Sequence, residues 1–582
     1  MQPPRRIRRR DPGDPAPLEA AGLHPVLARV YAARRVCDPA ELDLSVSGLP
    51  DYRGLLGIEA AAARLARAVE AGESVLVVGD FDADGATSCA LVLRGLRAMG
   101  ARRVDFLVPD RFRYGYGLTP EIVAVAARRR PHLLVTVDNG IGSVAGVAAA
   151  HAAGMEVIIT DHHLPGPELP AAAAIVNPNQ PGDGFPAKSL AGVGVAFYLL
   201  LAVRARLRES GWFARRPEPR LAAWLDLVAL GTVADVVPLD RVNRILVAQG
   251  LARIRAGETC PGIRALLEVA GRDPARCVAS DLAFAAAPRL NAAGRLTDMS
   301  LGIRCLLCDE PAEASALAQQ LDELNRRRRD IEARMQDEAL AALERLDLDG
   351  GTLPPALCVY DPGWHPGVVG ILAARLKERF HRPVVAFAPD GEGGLLKGSA
   401  RSVPDLHMRD LLDAVATRHP SLLSRFGGHA MAAGLSLPAA HLEAFGAALA
   451  EEAARAGAGR ESAGTVESDG PLDPADFQPE LAGLLRYGGP WGAGFPEPVF
   501  DGRFRVADWR TVGGDGRHLR LTVQPVEEGP VLEAIAFNQA PPPGLAAGTE
   551  LELAYRLDLN HFRGTTRLQL MVEHLAPAGP VP

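Results

Sequence analysis

Between Ser74 and about Pro178 the chain alternates short apolar runs with longer amphipathic stretches, and nothing else in it narrows the fold as much. The runs are SVLVV (74–78), VDFLV (104–108), LLVTV (133–137), MEVIIT (155–160) and AIV (174–176). Each is strand length and lacks the polar alternation of a half-exposed strand, so each predicts a strand buried on both faces. Ala-, Leu- and Arg-rich segments between them predict helices, and the repeated strand–helix–strand order predicts a parallel sheet covered on both sides.

The acids fall at the ends of these strands. The first runs into GDFDADGATS, which sets Asp80, Asp82 and Asp84 just past its carboxyl end. The third runs into Asp138-Asn139-Gly140 and the fourth into Asp161-His162-His163. In an open parallel sheet the crevice at the carboxyl ends is where ligands bind. Three strands therefore bring five carboxylates and two imidazoles to one edge, a density of charge that calls for cations. Carboxylate and imidazole without thiolate suits Mn2+ or Mg2+ better than Zn2+. A pair of such ions supplies an activated water and a stabilised leaving oxygen at phosphorus.

Each piece alone has a plainer reading. A calcium loop starting at Asp80 needs glutamate at its twelfth position, where Leu91 stands, so that reading fails. VDNG by itself is an ordinary turn, and DHH by itself a helix cap with two incidental histidines. Their recurrence at successive strand ends is what makes chance a poor account.

Farther along, a helical region runs from Leu190 to about Ala270, and a long charged helix from about Pro311 to Leu346. The latter carries Leu317, Leu321, Leu324, Ile331 and Met335 at helical spacing and reads as an exposed connector. A second α/β pattern spans Ala356 to about Leu449. The polar segment 457–464 reads as a linker, and the alternating stretches HLRLTV and TRLQLMV beyond Thr465 predict a small β-barrel.

Composition excludes several classes. The longest uncharged apolar run, Leu190–Val203, is too short to span a bilayer and reads as a buried helix, so no membrane association is expected. Arg5, Arg6, Arg8, Arg9 and Arg10 precede no apolar stretch, which predicts a disordered basic tail rather than a secretory signal. Seven scattered cysteines make no disulfide framework, and Cys305 and Cys308, with two leucines between them, read as buried helix residues; a reducing, cytoplasmic compartment is expected. The net charge of −7 means that any hold on nucleic acid comes from local basic clusters.

With DFDADG, VDNG and DHH in this order and spacing, the chain resembles the DHH phosphoesterases, and within them the single-strand-specific 5′→3′ exonucleases. LDLVALGTVADVVPLD (225–240) matches the family's fourth motif, with Asp235 in place of its last metal-binding aspartate. Further matches are RFRYGYGL (111–118), PRLNAAGR (288–295), WHPGVVGI (364–371), KGSARS (397–402), FGGHAMAAGL (426–435) and WGAGFPEPVF (491–500). One position departs: four residues before Asp82, where many DHH enzymes carry a metal-binding histidine, this chain has Val78.

The resemblance implies that Asp82, Asp84, Asp138, His162 and Asp235 coordinate two divalent ions, Mn2+ or Mg2+, with Asp80 sharing in the metal site. Asp161 orients a ligating imidazole, and His163 either ligates or hydrogen-bonds a phosphate oxygen. Substrate contacts are expected from Arg111, Arg113, Tyr114 and Tyr116, from Arg289, Asn291 and Arg295, and from Ser399, Arg401, Gly428 and His429. Arginines interleaved with aromatics suit a single strand, whose phosphates need cations and whose unstacked bases need π-faces. Arg111, Arg289, Ser399 and Arg401 are the candidates for a 5′-phosphate pocket; Arg517, His518, Arg520, Phe562 and Arg563 are those for the barrel.

The fold expected is a parallel-sheet DHH domain (71–245) after an N-terminal tail and helical lead-in (1–70). A helical connector (246–346), an α/β DHHA1 substrate-binding domain (347–460) and an oligonucleotide-binding (OB)-like barrel (461–582) follow. The activity implied is metal-dependent 5′→3′ hydrolysis of single-stranded DNA to mononucleotides in repair and recombination, with single-strand-binding protein and a repair helicase as partners. The rival is a DHH phosphodiesterase of short oligoribonucleotides or cyclic dinucleotides. Those enzymes are shorter and lack the β region after Thr465.

Overall fold

The computed structural model describes residues 6–109, 114, 117–348, 353–391, 394–404, 406–457, 464–513, 516–562 and 565–578, without the side chains of 342–348 and 561–562. Two compact units emerge. One combines Arg9–Asn325 with Glu467–Pro582, and the other is built on Arg326–Val466.

The first unit holds the parallel sheet, with strands β1 (Ser74–Gly79), β2 (Arg103–Leu107), β3 (Leu133–Val137), β4 (Glu156–Thr160) and β5 (Ala174–Val176). Their order is β2-β1-β3-β4-β5, with every pairing parallel. The central runs are strands covered on both faces, with Val75–Val78 and all of β3 buried; β2 corrects the expectation, for it lies at the sheet's edge with Arg103 and Asp105 exposed. Helix α1 (Ala83–Ala98) is almost wholly buried, packed against α2 (Gly192–Glu209) and α3 (Leu225–Ala234). The close fit uses small residues: a Cβ on Gly95 would meet Leu200 at 2.6 Å, and one on Gly231 would meet Thr87 at 2.2 Å.

Register is what builds the crevice. Gly79 lies opposite Val137, Val137 opposite Thr160, and Thr160 opposite Val176, so four strands end level. The next residue on each is Asp80, Asp138, Asp161 and Asn177. A one-residue slip would turn alternate side chains to the other face and scatter this row.

In the same unit the carboxyl-terminal strands β11 (Phe500–Val512), β12 (His518–Pro525), β13 (Leu532–Ala536), β14 (Glu550–Phe562) and β15 (Thr565–Pro577) close into a barrel. Its interior is filled by Phe504, Leu521, Val523 and Tyr555. The disordered tail expected at the amino terminus is corrected for the described arginines: Arg6–Arg9 is a strand, Arg9 pairs with Asp501 at 2.8 Å and Arg10 with Glu467 at 2.6 Å. The acids that order these arginines lie more than four hundred residues away in sequence, beyond any local reading. Arg5 falls outside the described residues.

The second unit contains a mixed sheet of β6 (Leu357–Tyr360), β7 (Val384–Pro389), β8 (Leu395–Arg401), β9 (Arg425–Gly428) and β10 (Ala432–Pro438). The order is β9-β10-β8-β7-β6, and only β6 and β7 run parallel. The long helix is real, Pro311–Leu348, and the division between the units falls within it. Cys305 is buried as expected, but Cys308 is only half-buried and lies just past the helix end at Leu307, where the chain turns extended; all seven cysteines are free. Among the described residues no helix is long and apolar enough to cross a membrane.

Candidate active site at the carboxyl edge of the parallel sheet

Each acid is held by a local device. Asp82 caps α1, accepting the Gly85 N–H at 3.0 Å. Asp84, in the first turn of α1, accepts the N–H groups of Gly192 (2.8 Å) and Val193 (2.9 Å), so it binds the positive start of α2. Asp138 sits at φ +61°, a left-handed conformation that a non-glycine residue adopts at a cost. Asn139 beside it donates to the carbonyls of Val78 (3.1 Å) and Val137 (2.9 Å), tying β1 to β3. Gly140 follows at φ +116°, where a Cβ would lie 2.6 Å from Thr136 Oγ1.

Asp161 is saturated. It accepts the N–H groups of Ile141 (2.9 Å), His162 (2.8 Å) and His163 (3.1 Å), and it meets His163 Nδ1 at 2.7 Å. Burial pushes its carboxyl up, but His163 and these N–H groups outweigh burial and hold it below the ordinary value. In return, burial lowers His163 while Asp161, with Asp235 and Asp80, raises it to about 9. His162 moves the other way: burial and the neighbouring His163 lower it to about 4, which keeps its ring neutral. Two adjacent histidines thus have opposite character, a cation and a neutral ring.

The donors converge. Ligand atoms of Asp80, Asp82 and Asp138 lie within 4.8 Å of one another, as do those of Asp84, His162 and Asp235, and those of Asp138, His162 and His163. Burial first, and then mutual repulsion, raises Asp84 to about 7, Asp235 to about 9 and Asp138 well above its ordinary value. His162 tests whether a cation fits. Its Nε2 is buried, 3.2 Å from Asp138 Oδ1 and 3.4 Å from Asp235 Oδ2, yet makes no hydrogen bond. The Leu190 backbone takes the ring's other nitrogen. A lone pair thus aims at the point the carboxylates face, the arrangement a divalent ion fits. Val78, where the family pattern has histidine, lies in the apolar core of the sheet, while Asp80 groups with Asp82 and Asp138.

The remaining sequence candidates divide. On helix α4 (Ala287–Leu296), Asn291 Oδ1 accepts the Ala83 N–H at 2.8 Å, directly under the DFDADG loop. Arg289 is paired with Asp322 at 2.7 Å, and Arg295 is half-buried on the same helix. Tyr114 packs against the apolar face of the sheet. Arg111, Arg113, Tyr116 and Arg563, and the side chain of Phe562, lie outside the described residues.

In the second unit, Arg401 donates to Ser399 Oγ (3.0 Å), and a Cβ on Gly370 would lie 3.0 Å from both side chains. The pair therefore sits over the first turn of helix α5 (Val369–Phe380), and burial lowers the Arg401 pKa. Gly428 has φ +150°, and His429 is exposed, its N–H bonded to Ala432 O. On the barrel, Arg517 is exposed, Arg520 pairs with Glu533 at 2.8 Å, and His518 packs edge-on against exposed Phe537.

Sequence reading missed Asn177 and Asn179, whose side chains donate to the carbonyls of His163 (2.9 Å) and His162 (2.6 Å) and so hold the DHH backbone. The signal was available: VNPN also follows a strand end.

Comparison with known proteins agrees with this architecture. Residues 74–232 match the model of the DHH family, N-terminal domain; 354–455 match the DHHA1 domain; 468–574 match the RecJ OB domain. The single-stranded-DNA-specific exonuclease RecJ of Dickeya dadantii (strain 3937) is 55% identical over 95% of this chain and 96% of that one. The chain belongs to the RecJ family. The crystal structure of RecJ from Thermus thermophilus in complex with Mn2+ is similar with a TM-score of 0.81 at 33% identity, covering 99% of this chain and 80% of that one. Its complex with Mg2+ gives 0.74 at 31% identity, covering 99% and 79%.

Proposed function

We propose that the protein is a divalent-metal-dependent exonuclease of single-stranded DNA, degrading strands from the 5′ end to mononucleotides. The observation that carries this reading is the buried nest in which His162 Nε2 and the carboxylates of Asp138 and Asp235 face one point, in a chain so similar to RecJ exonucleases. Asp80, Asp82 and Asp138 would hold one ion, and Asp84, His162 and Asp235 the second, Mn2+ or Mg2+ in each case. Bound there, the ions supply an activated water and neutralise charge at phosphorus.

The chain's own residues do the rest. Asp161 fixes the DHH turn through three backbone N–H groups and keeps His163 protonated. The imidazolium of His163 is then suited to hydrogen-bond a phosphate oxygen rather than to ligate a metal. Ser399 and Arg401, over the first turn of α5, are suited to a terminal phosphate, because a guanidinium and a helix amino end both favour an anion. Selection of a 5′-phosphate by that pair would set the direction of degradation. Action in repair and recombination, beside a single-strand-binding protein and a helicase, follows from the same reading.

The test is hydrolysis of a long 5′-phosphorylated DNA strand with Mn2+, beside a ribonucleotide dimer and a cyclic dinucleotide. Progressive release of mononucleotides from the 5′ end is expected. Turnover of the small substrates alone would sink the reading in favour of an oligoribonucleotide or cyclic-dinucleotide phosphodiesterase.

A further inference from the structure

An apolar cavity of about 470 Å³ opens in the same compact unit as the metal nest, and its wall begins there: Val233, Val236 and Val237 line it on either side of Asp235. Across from them stand Phe284, Tyr487 and Arg255.

Three features bear on what it takes. Phe284 is 81% exposed at the centre of a π-helical turn, Leu282–Ala286, a wide turn found chiefly at functional positions. Val236 has φ +62°, an outlier for a β-branched residue, and its side chain is 68% exposed. Two large apolar groups are thus held in solvent at one mouth, one of them against backbone preference. Charge is the third feature. Arg255 lies over the Tyr487 ring at 5.0 Å, donates to Cys277 O at 2.7 Å and forms no ion pair among the described residues. Arg486 is matched by Asp558, and the cavity's carboxylate, Glu497, by Arg556, so the wall carries a surplus cation.

An apolar mouth, a surplus cation and a wall built from the residues that flank Asp235 in sequence fit a polyanion with unstacked aromatic rings. We infer that this cavity is a nucleobase subsite of the substrate strand, in which Phe284 stacks on a base a few nucleotides from the scissile bond while Arg255 faces the adjoining phosphate. The inference rests on the exonuclease reading and deepens it. It predicts that grip on the strand depends on a base at one defined distance from the 5′ end, since a stacking platform recognises any π-face.

The experiment uses the full-length enzyme with Mn2+ and 5′-phosphorylated strands carrying 2-aminopurine at successive positions, recorded by stopped flow before the first turnover. Fluorescence should be quenched at one internal position. Phe284→Ala should abolish that quench and raise KM about tenfold, the scale of one stacked base, while Phe284→Trp keeps both near wild type. Unchanged KM and unchanged quench in Phe284→Ala would overturn the inference. A wild-type enzyme that left these strands intact would instead overturn the exonuclease reading.

Discussion

The backbone N–H of Ala83 donates to Asn291 Oδ1 at 2.8 Å, so a side chain more than two hundred residues away holds the loop that carries Asp80, Asp82 and Asp84. The helix bearing Asn291 approaches closely enough that a Cβ on Gly294 would lie 1.8 Å from the Phe81 carbonyl oxygen. PRLNAAGR therefore supports the DFDADG loop. Asn291→Ala leaves the Ala83 N–H without its acceptor, a loss of about 1–3 kcal/mol. The expected outcome is a lower melting temperature and a weaker apparent affinity for Mn2+, read by melts across a metal titration. Gly294→Ala should be worse, because backbone must move.

Asp138 faces two of the ligand groups, and its left-handed backbone suits Asn almost as well as Asp. Asp138→Asn should therefore leave the fold intact by circular dichroism and abolish Mn2+-dependent cleavage. Removing one of the crowded charges should also raise the melting temperature of the metal-free protein. Cleavage at the wild-type rate would refute the ligand assignment.

The nest also dictates a pH dependence. Asp84 at about 7 and Asp235 at about 9 titrate far above the unfolded value, so the metal-free native state binds more protons than the unfolded chain. Their contribution is fully present below about pH 4 and is lost as pH rises through the two folded values. Mn2+ replaces those protons. The gap between melting temperatures measured with Mn2+ and with EDTA should accordingly widen from about pH 6 to about pH 9. A constant gap would mean that these carboxylates do not meet the ion.

Arg401 offers a test of polarity. Replacing it by Ala should raise KM for a 5′-phosphorylated strand at least tenfold, roughly the worth of a charge-assisted hydrogen bond, with a much smaller change for a 5′-hydroxyl strand. Equal losses on both substrates would remove Arg401 from any role in reading the terminal phosphate.

Much of this molecule was legible in the sequence, for local reasons. A strand buried on both faces is apolar, so short apolar runs announced the parallel sheet, though the edge strand β2 proved half exposed, and a strand's carboxyl end is where its next residue must leave the core. That places Asp80, Asp138 and Asp161 at one edge from the sequence alone. Hydrophobic periodicity does not encode which side chains finally meet. Asp161 proved to be saturated by backbone N–H groups, Arg289 to be paired with Asp322, and Asn291 to be turned toward Ala83. The opposite charge states of His162 and His163 depend on burial and on one carboxylate at 2.7 Å, and the cavity beside Asp235 joins segments about two hundred residues apart. Propensity and spacing are properties of the chain itself; desolvation and pairing arise only when the fold removes water and brings distant residues together.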